Sequence, residues 1–451
     1  MSFSMKKSVA LIGAAAMLVS VAACGGSSSS SSSQGSAGDS NGDVTLNLWA
    51  WEPTLKPVIE AFQKKYPNIK IDFNNTGKAD TTVTSLNNAI QAGSGIPDVV
   101  QLEYMTIPQF VIGEQSQLAN IKDKTSGFDS FYTPGTWNSV SINDGVYALP
   151  MDSGPQAMFY NKATFDKAGI TEVPKTWDEY YEAAKKIHAL GDNYYITSDA
   201  GDAGFFDSMV WQAGGHPFET SEDGKTVSID LTGDEGTQKF VEYWQKMIDE
   251  GLIDTKTTSW SDDWNRGLGD GTIASLVIGA WMPANLLSGA PNASGKFRVA
   301  TTPQWNEGDD SNGENGGSML GVVEGTKNED AAWKYIEFVN HDAEGIKART
   351  DAGAFPADKA TLSSDDFLKG SDELTEYFGG QEYAKVLAEA AGQKVPDFQF
   401  LPYWGWAQTS FGDYFGQVYS SKKGTLSDAV ASYQKAIVEH GNQQGFTVKE
   451  S

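Results

Sequence analysis

Flat aromatic rings beside short polar side chains are the groups in this sequence that could do chemistry, and the chemistry they suit is recognition rather than bond making. The 451-residue chain holds 13 Trp, 17 Tyr and 22 Phe. Trp49 and Trp51 stand two apart at the end of the alternating run "DVTLNLWAW", so they share one face of a strand. Ligands of open α/β sheets settle at the carboxyl ends of strands, which favours a binding role for Trp51 over Trp49; the alternative is that both rings cover the helix that follows. Glu103 and Tyr104 occupy the analogous position after "PDVVQL", with a solvated loop as the alternative. Trp281 closes "ASLVIGAW", again at a carboxyl end. Trp264, in "SWSDDWNRGL", suits either core or cleft, and Trp211, in "DSMVWQAGGHPF", sits where a helix ends at a Gly pair and suits core packing first. The densest run of rings, "DFQFLPYWGWAQTSFGDYF" at 397–415, places Tyr403, Trp404 and Trp406 around a Gly. Exposure to a cleft competes there with a satellite core.

Other chemistries find little support. The four His, at 188, 216, 341 and 440, form no HExxH or other metal-ligand spacing, so no metal is expected. Aligning Gly313 of "GDDSNGENGG" with the invariant glycine of a calcium loop puts Gly308 at the first ligand position and Met319 at the last, which fails that rule. "GLGDGT" and "GGSMLG" lack the lysine of a phosphate loop, no GxSxG elbow occurs, and no cofactor is implied. A glycan hydrolase would need a spaced carboxylate pair, and 59 Asp and Glu are too many for spacing to single one out.

The chain's start reads as an address. Lys6 and Lys7 precede an apolar stretch, Val9 to Ala23, that fits a secretory signal and is too short to span a bilayer. Val21-Ala22-Ala23-Cys24 resembles a bacterial lipobox, which implies cleavage before Cys24, acylation of its thiol and a lipid anchor. That would account for the only cysteine in the chain. Residues 24–43, rich in Ser and Gly, read as a flexible tether. The formal charge of −26 becomes −28 once Lys6 and Lys7 are removed, because residues 1–23 carry no acid. Such a surface repels nucleic acid and anionic headgroups.

From Val44 onward strands and amphipathic helices alternate, which points to a parallel sheet covered by helices. The chain beyond residue 43 is too long for one core, so two lobes are expected. A helix capped at Thr176 opens "TWDEYYEAAKKIHAL", and others follow in "EGTQKFVEYWQKMIDEGL", "DAAWKYIEFVNH" and "LSDAVASYQKAIVEH".

Several stretches, in order, resemble the extracellular solute-binding proteins of carbohydrate ABC importers. They are "LNLWAW", "AFQKKYPNIKIDF", "AGSGIPDVVQLE", "DGVYALPMDSGPQAMFYNKATFDKAGI", "VPKTWDEYYEAAKKI", "GDGTIASLVIGAW" and "AAWKYIEFV". The resemblance implies a type II periplasmic-binding-protein fold of two α/β lobes, with the ligand in the cleft. By position, 44–150 plus 284–327 would form lobe one and 155–280 plus 328–451 lobe two. It also implies a crossover at "YALPMDSGPQAMFYNK", with Asp152 and Gln156 facing the cleft, and an aromatic at Trp281 that stacks on a sugar. The function implied is capture of an extracellular oligosaccharide by a monomeric, lipid-anchored protein that delivers it to ABC permease subunits served by a cytoplasmic ATPase, with no bond broken. A secreted glycan hydrolase, or a binding protein for a peptide, polyamine or metal chelate, are the alternatives. Plentiful Trp without an evident Arg/Lys cluster favours a neutral, ring-shaped ligand.

Overall fold

The computed structural model describes residues 43–113, 115–221, 223–393 and 398–450. The signal segment, the tether up to Gly42 and Cys24 lie outside the described residues. Asp43–Ser451 forms one compact unit.

Strand β1 (Val44–Ala50) buries Leu46, Leu48 and Ala50 on alternate positions, as its period of two requires. Helix α1 (Leu55–Lys65) lays Leu55, Val58, Ile59 and Phe62 on that layer, and its last turn carries Lys64 and Lys65, favourable at the negative end of the helix dipole. Strand β2 (Ile69–Asn75) runs parallel to β1 from Val44 opposite Ile69 to Ala50 opposite Asn75. Helix α2 (Ala79–Ala92) leads to β3 (Val99–Glu103), parallel to β1 on its other side. The strand Ser318–Val322 then joins β3 antiparallel, with Ser318 opposite Glu103, and Leu149–Pro150 completes a five-stranded sheet.

A second sheet has Gln156–Asn161 at its centre, antiparallel to Ser275–Gly279 on one side and Phe297–Thr301 on the other. The expected parallel order holds for β1 to β3 and fails here. Ser275–Gly279 and Phe297–Thr301 do run alike, joined through helix Met282–Gly289, but Gln156–Asn161 inserts between them in the opposite sense. Helices with well-made starts cover this lobe. Thr176 accepts from the Glu179 amide while the Glu179 carboxylate accepts from the Thr176 amide, the reciprocal box expected of "TWDE".

Two lobe edges differ from the sequence expectation. Residues 284–301 pack with Trp264 and Leu268 and pair with Gln156–Asn161, so they belong with the second sheet. Helix Glu329–Asn340 puts Ala332, Tyr335, Ile336 and Val339 into the first core, where Tyr335 meets the edge of Phe62 at 5.1 Å. Each element follows the apolar surface it covers rather than its neighbours in the chain.

Two passages of chain between the sheets lie against each other. The Met151 amide donates to the Ser318 carbonyl (2.9 Å), Asn315 to Gly154 (2.7 Å) and Gln156 to Gly313 (3.1 Å). Gly154 is required for this contact, because a side chain there would collide with the Asn315 carbonyl and the Gly316 backbone.

Candidate functional site

A cavity of about 1160 Å³ lies beside this paired crossing, a volume ample for a small glycan. Tyr104, in the turn after β3, and Asn138, on helix Pro134–Val140, line it from the first lobe. Trp211 lines it from the last turn of helix Ala203–Gln212, with Phe398 and Phe400 from the extended segment before helix Trp404–Ser421. Glu314 rises into it from the return passage.

The aromatic wall is ordered. Trp211 stacks on Phe398, with ring centroids 5.1 Å apart and planes 18° from parallel, and meets Phe400 edge-on at 6.1 Å. Phe400 in turn leans on Trp404 at 5.5 Å. One pyranose face laid on such a ring removes roughly 60 Å² of apolar surface from water, worth ~1–2 kcal/mol at about 25 cal/mol per Å². Short polar groups, Ser139, Asn138 and Gln399 among them, share the lining and can answer hydroxyls that would otherwise be desolvated at a cost.

The crossing carries the charges. The Asp152 carboxylate accepts from the Ser318 amide (2.5 Å) and hydroxyl (3.0 Å), and the Tyr104 hydroxyl donates to the Asp152 carbonyl (2.6 Å). Burial, then repulsion by Glu52, pushes the Asp152 carboxyl up to about 7 against the pull of Arg349 and Ser318. Burial, then repulsion from Asp80, Asp202 and Asp152, raises Glu103 to about 8. Asp80 begins α2 in the first lobe, whereas Asp202 caps a second-lobe helix by accepting from Phe205, so Glu103 senses both lobes.

The residues expected from sequence separate into groups. Tyr104 lines the cavity. Asp152 lies in the crossing, half-buried and bonded as above. Glu103 stands one residue before Tyr104, half-buried at the end of β3. Trp51 is half-buried just past β1, with its amide held by Gln101 (3.0 Å), and is not part of the cavity lining; Trp49 packs on the first core. Trp281 is half-buried and also outside that lining: its indole N–H donates to the Asn315 carbonyl (2.8 Å) and its ring stacks on the exposed Trp260 at 5.7 Å.

Five more of the expected residues lie outside the cavity lining. Gln156 is fully buried, with its side-chain nitrogen donating to the Ser208 hydroxyl (3.1 Å), because its strand begins inside the crossing. Trp264 is 1% exposed within the core around Leu268 and Met282, on the inner face of its helix. Tyr403 and Trp404 are buried at the junction of the last two long helices, where the Tyr403 hydroxyl reaches the Ile437 carbonyl (3.1 Å) and Trp404 backs Phe400. Trp406 stacks on His440 at 4.0 Å, with planes 3° apart, and does not line the cavity.

Trp211 walls the cavity although it is 6% exposed, so core packing and a ligand face coexist in one ring. Phe398, Phe400 and Glu314 were passed over. Phe398 and Phe400 are two apart in an extended segment, and that spacing was the available signal; "NEGDDSNGENGG" offered no pattern that marks Glu314.

Two α/β lobes joined by a paired crossing, with a cavity beside it, define a periplasmic binding protein of type II. The family model for the bacterial extracellular solute-binding proteins matches residues 50–345, and the chain belongs to that family. A solved structure, the ABC transporter associated binding protein from B. animalis subsp. lactis Bl-04 in complex with β-1,6-galactobiose, is 53% identical. It covers 90% of this chain and 99% of its own, with a TM-score of 0.82. The galacto-N-biose-/lacto-N-biose I-binding protein of Bifidobacterium longum shares the fold at 23% identity, with a TM-score of 0.79 over 91% of this chain and all of that one. Among curated relatives, the arabinooligosaccharide-binding protein of Bacillus subtilis is 26% identical over 76% of this chain and 79% of its own. Among the described residues, no helix is long and apolar enough to cross a membrane.

Proposed function

We propose that this protein is the substrate-binding component of an ABC importer, capturing a neutral oligosaccharide in the cavity between its lobes and delivering it to membrane permease subunits. The observation that carries this reading is the wall of Trp211, Phe398 and Phe400 facing polar groups across the paired crossing, in a chain 53% identical to a protein solved with β-1,6-galactobiose. The ligand class is a short β-linked galactoside. Contacts to both lobes favour the closed arrangement, which the permease reads. The chain works as a monomer, breaks no bond, and is held outside the cell membrane by a lipid on Cys24; the lipobox-like Val21-Ala22-Ala23-Cys24 supports the anchor.

The test is calorimetry and thermal shift on the Asp43–Ser451 unit with β-1,6-galactobiose, lactose, arabinooligosaccharides and a peptide mixture, with each sugar checked afterwards for cleavage. A ligand at 100 times its Kd adds about 2.7 kcal/mol to the native state. A shift with the galactobiose and no cleavage supports the reading. Cleaved sugar makes the protein an enzyme, and a shift with peptides alone replaces the ligand class. Labelled palmitate incorporated by the full chain and lost in Cys24→Ala tests the anchor.

A further inference from the structure

The cavity lining holds a carboxyl that pairs with no cation among the described residues. Glu314 pairs as a β-bridge with Pro155, and its Oε2 accepts from the Gly154 amide at 2.8 Å. Its Oε1 has no hydrogen-bond partner among the described residues and lies toward helix Pro134–Val140, where a side-chain carbon on Gly135 would stand 3.7 Å from it. The titratable groups around it come from four elements. Asp152 lies on the outgoing passage and Tyr104 on the turn after β3; Lys359 and Glu389 line the same cavity from helices Lys359–Leu362 and Tyr383–Gly392. Lys359 donates to the Ser130 carbonyl (3.2 Å), and among the described residues no ion pair includes Glu314. A half-buried carboxyl with no ion-pair partner holds its proton above the usual carboxylate range. Burial is the main cause here, Asp152 adds to it, the Gly154 amide opposes it, and the result is a value of about 8.

We propose that Glu314 is a ligand-binding residue that donates a hydrogen bond from Oε1 to an uncharged acceptor oxygen of the bound sugar, while Oε2 keeps the Gly154 amide, so that the ligand is held by the hinge itself. This rests on the cavity being the sugar site. A hydroxyl, ring or glycosidic oxygen at the cavity floor is the acceptor that fits. Because Oε2 of the same carboxyl ties the two passages together, removing the carboxyl disturbs the crossing as well as the affinity.

The experiment is calorimetry of β-1,6-galactobiose binding from pH 6 to pH 9.5, with wild type, Glu314→Gln and Glu314→Ala, and melting midpoints read without sugar. A contact made only by the protonated acid, titrating at about 8, weakens wild-type binding by ~30-fold between pH 7 and pH 9.5. Glu314→Gln carries an amide donor at every pH, so it should bind within about 3-fold of wild type at pH 7 and show a flat profile. Glu314→Ala should lose about 10-fold or more at pH 7. A slope in Glu314→Gln equal to that of wild type, or wild-type affinity in Glu314→Ala, overturns the proposal. Should Glu314→Gln fail to fold, a flat wild-type profile overturns it alone. Wild type that binds no sugar at any pH instead overturns the sugar reading.

Discussion

Replacing Arg349 by Met should lower the melting temperature by several degrees, and by more at pH 8 than at pH 5. The Arg349 side chain is 3% exposed, donates from Nη1 to the Met151 carbonyl, and holds Nη2 3.4 Å from Oε2 of Glu52, itself 16% exposed. It is the cation that opposes the burial of Asp152. Its loss leaves Glu52 and Asp152 repelling each other with little water to screen them, and removing one partner of a buried pair costs about 3–5 kcal/mol. A unit of this size unfolds with an entropy of ~0.9 kcal/mol per K, so the midpoint should fall by about 3–6 °C.

The pH dependence has a definite sign. Asp152 holds its proton more tightly folded, at about 7, than unfolded. Its contribution to stability is therefore full below about pH 4 and is lost as pH rises through about 7. Without Arg349 the folded value climbs further, so the loss continues above pH 7 and the gap between wild type and variant widens toward pH 8. Scanning calorimetry at both pH values decides the matter. A drop under 1 °C at pH 8, or a larger drop at pH 5 than at pH 8, refutes the assignment of Arg349 as the counter-charge of the crossing. Adding Glu52→Gln to the variant should restore part of the loss, because it removes one of the two stranded charges.

Trp211→Ala should weaken β-1,6-galactobiose by ~5–30-fold, the equivalent of one stacking platform, while Trp211→Phe keeps most of the affinity; calorimetry of both variants checks it. Gly154→Ala should part the two passages, because the new carbon meets backbone of the opposite one, and is expected to lower both the melting temperature and the affinity. Trp406→Ala, which loses its stack on His440 and its packing on the second-lobe core, should leave affinity within about 2-fold of wild type, and a larger change in the titration would place that ring at the ligand after all.

Periodicity made the layers legible. β1, α1, β2, α2 and β3 fall where the apolar spacing puts them, because each buries one face against one core and the spacing records that face. Lobe membership was not legible on the same grounds. Helix Glu329–Asn340 shows an apolar stripe that either sheet could have covered, and only the tertiary contact with Phe62 decides. The ring-rich stretch holds rings in two different settings for a related reason. Where the chain is extended, at Phe398 and Phe400, alternate rings face the cavity; from Trp404 the helical period takes over and turns Trp404 inward. The residue at which one period replaces the other selects the exposed ring, and nothing in a run of Phe, Pro, Tyr and Trp marks it.

"NEGDDSNGENGG" gives no local signal of its role because two physically different demands produce the same composition. A solvated linker favours Gly and Asn for freedom, whereas the return passage needs Gly for closeness. A side chain on Gly313 would meet the Ser208 carbonyl, and one on Gly317 would stand 2.7 Å from the Tyr104 ring. Entropy argues against such a glycine-rich segment being ordered, and it is held here by bonds to a second passage more than 150 residues away: Asn315 to Gly154, Gly154 to Glu314 and Ser318 to Asp152. Those partners are invisible to any local reading. The carboxyl at the cavity floor therefore lay in the part of the chain where composition points most strongly toward a loop without function.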